Sequence, residues 1–212
     1  MFSPRDPAKV SSVTLQWYAD RMAEAQEIAC ITLAFHLDKV FSAVIAQDNN
    51  VLRYIVKDDD LRDSETIGQD RDVIWASGGF FEDGGFGDFV IERGNPLNTN
   101  DNIHNKFLLV DPLKDEPLVV TGSANFSQPS QTTNDESMLV ICGDTRVADI
   151  YFGEYMRIFD HHYARYIVRK LGSSNKSDPN AGYLRVQTSA WLDSHFDQHS
   201  YKSKRRRYFA GF

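Results

Sequence analysis

With 212 residues, 42% of them hydrophobic and 25% charged, the chain has the composition of an ordinary folded protein, which excludes a disordered or low-complexity one. Its formal net charge is −7, and setting aside the five basic residues between Tyr201 and Tyr208 leaves −12 on the remainder. So acidic a body argues against non-specific coating of nucleic acid, which draws its affinity from neutralised phosphates.

The opening FSPRDPAKVSS holds two prolines and reads as an extended linker. Apolar residues at helical spacing (Val13, Trp17, Met22, Ala25) then predict a first helix. EIACITLAF is rich in strand formers, DKVFSAVIAQ returns to a helical rhythm and VLRYIVK is strand again. That order is a βαβ unit, which implies parallel strands with helices packed on the sheet. Residues 58–100 are irregular, with one short strand at DVIWAS and a glycine-rich GGFFEDGGFGDF that reads as a surface or lid loop. HNKFLLVD, PLVVTGSANFS and DESMLVICG follow as three strands, and residues 145–170 as a long amphipathic helix. Beyond Leu171 the rhythm is lost, leaving an irregular tail of aromatic and basic residues. The expected fold is therefore α/β, a three-layer α/β/α sandwich with a mixed, mainly parallel sheet, as one domain over 1–170 with an extension over 171–212 packing on it.

Cys30 and Cys142 lie in apolar strand-like runs and are expected to be reduced and buried. The chain opens without a charged and apolar leader and has no apolar run of membrane-spanning length, so a soluble, cytoplasmic protein is the expectation.

In HNKFLLVD, alternation along a strand puts His104 and Lys106 on one face. A nucleophile and a cation are thereby presented together. Asp111 lies seven residues on, roughly 23 Å along a straight strand, too far to orient the His104 ring. In GSANFS, the Ser123 hydroxyl and the Asn125 amide can hydrogen-bond phosphate oxygens without adding charge. Glu136, just ahead of the next strand, could accept a proton from the second ring nitrogen of His104, fixing its tautomer and raising its basicity.

The spacing H-x-K-x-x-x-x-D met by His104, Lys106 and Asp111, followed by Gly122-Ser123-Ala124-Asn125 and then Asn134-Asp135-Glu136, resembles the HKD signature of the phospholipase D superfamily. The resemblance implies a displacement needing neither metal nor cofactor. His104 would attack phosphorus to give a phosphohistidine that water hydrolyses, Lys106 and Asn125 would hold the non-bridging oxygens, and Glu136 would orient His104. Asp111 would make a structural hydrogen bond.

Members of that superfamily need two such motifs facing one another, because one histidine attacks while another protonates the leaving oxygen. Only one is present. His36, His161, His162, His195 and His199 lack the following lysine and aspartate. The partner motif would come from a homodimer twin, or from a missing amino-terminal half if this is the carboxy-terminal half of a longer chain, the reading the opening and closing segments favour. The substrate implied is a phosphodiester, either a phospholipid or a nucleic acid, and the acidic body tilts the choice towards lipid or a small diester. The alternatives are a nuclease of the same superfamily and a non-catalytic pairing domain that binds phosphate or lipid. The basic run Lys202–Arg207 reads as a solvated terminus, as a contact for nucleic acid or anionic lipid, or as a source of an arginine for substrate.

Overall fold

Strands β1 (Ile28–Leu33), β2 (Leu52–Lys57) and β3 (Val73–Ser77) are buried along their whole length, as apolar runs flanked by helices require. They pair in parallel, Ile31 opposite Ile55 and Ile55 opposite Trp75. On the other side of β1 the sheet turns antiparallel through β4 (Phe107–Val110), β5 (Leu118–Gly122) and β6 (Met138–Cys142). The order is β3-β2-β1-β4-β5-β6, so β1, β2, β3 and β5 run one way while β4 and β6 run the other. This computed structural model describes residues 2–6, 13–34, 37–47, 49–58, 72–78, 103–174, 186–188 and 191–211. His36, the glycine-rich loop beyond Gly78 and most of the irregular stretches over 58–100 and 173–182 lie outside the described residues.

Helices cover both sheet faces. On one, α1 (Val13–Ala23) and α2 (Lys39–Ile45) supply Leu15, Tyr18, Met22, Phe41 and Ile45 to a core shared with Ile31, Ile55 and Leu108. Asp38 caps α2, its carboxylate accepting from Val40 N. On the other face runs α4 (Thr145–Ser174), whose Tyr155 packs edge-on to Phe107 and whose Phe159 packs edge-on to Tyr54. Asp144 accepts from Val147 N and fixes where α4 starts. The expected sandwich is the observed one.

Two compact units divide the chain, Met1–Phe80 with Arg93–Ala164, and Phe81–Glu92 with Arg165–Phe212. The second contains α5 (Asp193–Phe196) and α6 (Tyr201–Ala210). Among the described residues the tail thus carries two helices where the sequence shows no rhythm. Ser200 caps α6 at its start, Gly211 ends it in the left-handed conformation, and the Arg206 guanidinium lies 4.7 Å over the Phe196 ring while its Nε donates to the His195 carbonyl. No helix among the described residues is long and apolar enough to cross a membrane.

Two local expectations are corrected. Cys30 is buried but Cys142, on the last strand of the sheet, is exposed; both are free thiols. The opening segment is docked rather than a free linker. Phe2 bridges Ser137, and the Ser3 and Arg5 amides donate to the Glu136 and Gln131 carbonyls.

Candidate active site

The segment carrying His104 is tied to the sheet by its backbone. Ile103 N donates to Asp58 Oδ1 at 2.8 Å; the Thr32 hydroxyl donates to the Asn105 carbonyl at 2.8 Å and accepts from Phe107 N at 3.0 Å. Asp58 and Thr32 lie at the carboxy-terminal ends of β2 and β1, where open α/β sheets place their sites. Neither stands out in the sequence, since each acts from 45 residues or more away. The strand begins only at Phe107, so His104 and Lys106 precede it and part ways. His104 is exposed while Lys106 is 7% exposed, its Nζ turned back to donate to the His104 carbonyl at 2.7 Å.

Burial pulls the Lys106 pKa below the ordinary lysine value of 10.5, and the Glu136 carboxylate offsets part of that shift. With the folded value below the unfolded one, the charged lysine subtracts from stability at neutral pH, and this loss fades as the pH rises from the lowered value towards 10.5. Replacing Lys106 with methionine is accordingly expected to hold or raise the urea midpoint at pH 7. A lowered midpoint would contradict this.

The loop after β5 is anchored by Phe126, 3% exposed and edge-on to both Tyr18 and Phe41, with Ala124 also buried. Between them, half-buried Asn125 keeps a buried Oδ1 without a hydrogen-bond partner. An unmet buried acceptor costs about 1–3 kcal/mol and calls for a donor; toward a phosphate oxygen, itself an acceptor, it is the Asn125 Nδ2 that can donate. Ser123 is engaged otherwise. Its amide donates to the Ser137 carbonyl and its hydroxyl accepts from Ser137 N at 3.0 Å. Gly122 permits this approach, since a Cβ there would lie 2.1 Å from the Ser137 carbonyl oxygen.

Glu136 is half-buried, with Oε1 accepting from Asn134 Nδ2 at 3.3 Å, and it makes no hydrogen bond to His104 in this structure. Its carboxylate acts electrostatically on Lys106. Catalytic hydrogen bonds commonly tighten only when substrate is bound. Asp111 is 7% exposed, and its Oδ1 accepts from Glu27 N and Ile28 N while Oδ2 accepts from Gln26 N, all within 3.0 Å. It locks the start of β1 and turns its back on the site. Among the described residues no cluster of His, Cys, Asp or Glu is arranged to hold a metal ion.

The family model described as "Cardiolipin synthase, PLD-like domain" matches residues 82–163, the stretch that holds His104, Lys106, Asp111, Asn125 and Glu136. Residues 82–163 thus match a phospholipase D-like domain. Its fold is similar to that of NucT from Helicobacter pylori, at 16% identity and a TM-score of 0.54, over 76% of this chain and 94% of that one. Nuc from Salmonella typhimurium, described as a phospholipase D family member, matches at 16% identity and a TM-score of 0.47, over 74% of this chain and 91% of that one. No curated protein matches the sequence. Within this phospholipase D-like architecture, the structure gathers Lys106 and Glu136 at one end of the sheet, with exposed His104 beside Lys106.

Proposed function

We propose that the chain is a phosphodiesterase whose His104 imidazole attacks the phosphorus of a diester. The nitrogen–phosphorus bond forms as the bond to one alkoxy oxygen breaks, and that oxygen leaves as an alcohol by taking a proton from a second histidine outside this chain's motif. Water then attacks the phosphohistidine, freeing the imidazole and a monoester. Lys106 and the Asn125 Nδ2 hold the two non-bridging oxygens, and Glu136 orients His104 by accepting a hydrogen bond from the N–H of its far ring nitrogen. Asp111 supports the fold, and Ser123 steadies the turn beside Asn125. The observation that carries this reading is an exposed imidazole whose own carbonyl holds a buried ammonium, an arrangement that brings nucleophile and phosphate-binding cation onto one short segment.

The second motif comes from a twin or from another half of a longer chain. The exposed β6 edge, where Leu139 is 64% and Val140 42% exposed, begins two residues past Glu136 and is the pairing face this reading favours. Turnover of bis(p-nitrophenyl) phosphate, followed across protein concentration beside the molar mass, tests the requirement. Specific activity that rises as a dimer forms, or appears only when the other half is added, supports it. A dilute monomer turning over at full rate would overturn it. For the substrate we favour a phospholipid or small diester, in line with the acidic body and with the name of the matching family model. Cleavage of single-stranded DNA with phosphatidyl liposomes left intact, at low and moderate salt alike, would reverse that preference.

A further inference from the structure

The Phe2–Asp6 segment is docked on the one loop whose carboxylate the proposed reaction uses. Ser3 and Glu136 meet twice, Ser3 N donating to the Glu136 carbonyl at 2.9 Å and Glu136 N donating to the Ser3 hydroxyl oxygen at 3.1 Å. The same hydroxyl has one proton to give, shared between the carbonyls of Ser130 at 2.9 Å and Asn134 at 2.8 Å. One side chain thus bridges the turn from Ser130 through Asn134 to the Glu136 amide. Arg5 N adds a bond to the Gln131 carbonyl, and Phe2 bridges Ser137. Glu136 has no tie of comparable strength from its side chain, which meets only the Asn134 amide at 3.3 Å. Its direction is therefore set by its backbone, and Ser3 sets the backbone.

We infer that Ser3 is a positioning residue, which holds Glu136 at the distance from which its carboxylate serves His104 and Lys106. The inference rests on the proposed role of Glu136. A displacement of about 1 Å in such a group costs up to about 100-fold in rate.

A double-mutant cycle with Ser3→Ala and Glu136→Gln separates the possibilities, read as kcat and KM on bis(p-nitrophenyl) phosphate with the full chain and its pairing partner. Ser3→Ala is expected to lower kcat about 10- to 100-fold with KM little changed, and Ser3→Thr, which keeps the hydroxyl, to restore most of it. In the Glu136→Gln background the same Ser3→Ala change is expected to lower kcat less than about 3-fold, because the group it positions has already gone. An equal loss in both backgrounds would make Ser3 structural only and overturn the inference. Full activity in Glu136→Gln alone would instead overturn the role given to Glu136. Should Ser3→Ala fail to fold, Ser3→Cys, with its weak acceptor sulfur, carries the same comparison.

Discussion

Exchange of His104 for asparagine is expected to lower phosphodiester turnover by about 10³-fold or more while leaving the melting temperature within a degree or two. The first half follows from chemistry, since asparagine offers no nitrogen able to form and release a bond to phosphorus. The second half follows from geometry. The ring is exposed, and the bond that holds Lys106 goes to the backbone carbonyl of residue 104, which the substitution keeps. Exposed substitutions of this kind change stability by about 0.5 kcal/mol or less. Retained turnover would remove His104 from the reaction. Lost turnover with a collapsed fold would show that the ring has a structural task the geometry does not reveal.

Asp111 is expected to behave in the opposite manner. Its replacement by alanine strands three backbone N–H groups at the start of β1, of which the Ile28 amide is fully buried. It also places alanine at φ +47°, a left-handed conformation that aspartate and asparagine tolerate and alanine resists by about 1–2 kcal/mol. At about 1–3 kcal/mol for the one fully buried donor and about 1–2 kcal/mol for the backbone, the total is about 2–5 kcal/mol, a large share of the stability of a marginal domain. Asp111→Asn keeps the tolerated backbone and one acceptor oxygen and is expected to lose about half as much. Urea unfolding by far-UV circular dichroism checks both. Stability unchanged with activity gone would mean that Asp111 meets substrate after all.

These two residues belong to one sequence motif, and their contrast shows how much of the site is written locally. The apolar runs of β1 and β2, and the alternation of helix and strand around them, made the parallel half of the sheet legible, because a strand buried on both faces needs no partner to announce it. The edge strand β6 was harder. Its MLVIC reads as core, yet Leu139, Val140 and Cys142 are exposed on what is the last strand among the described residues. Helices α3 (Gln128–Thr132) and α6 carry too few apolar residues to show a stripe; α3 holds Pro129 in its first turn, and α6 is set by its caps. The candidate groups His104, Lys106, Asn125 and Glu136 could be picked out from residue type and spacing. The groups that hold them could not. Thr32, Asp58 and Ser3 reach their targets from 73, 45 and 133 residues away, as ordinary members of a strand, a strand end and a proline-flanked opening.

Lys106 joins the two levels. Alternation placed it beside His104 on a strand face, whereas the chain there is held by Thr32 and Asp58 and the lysine folds beneath its neighbour. A buried cation with a lowered pKa works against stability and in favour of binding an anion, the trade expected where function rather than folding selects a residue.

The central claim is a bond between His104 and phosphorus. Rapid quenching of a diester reaction into alkali, followed by peptide mass spectrometry, looks for that bond directly, because phosphohistidine survives base and is lost in acid. The account predicts a substrate-derived phosphoryl group on the peptide containing His104, absent from the His104→Asn protein and lost after acid treatment. Turnover at full rate with no adduct on that peptide, or an adduct on another residue, would contradict it.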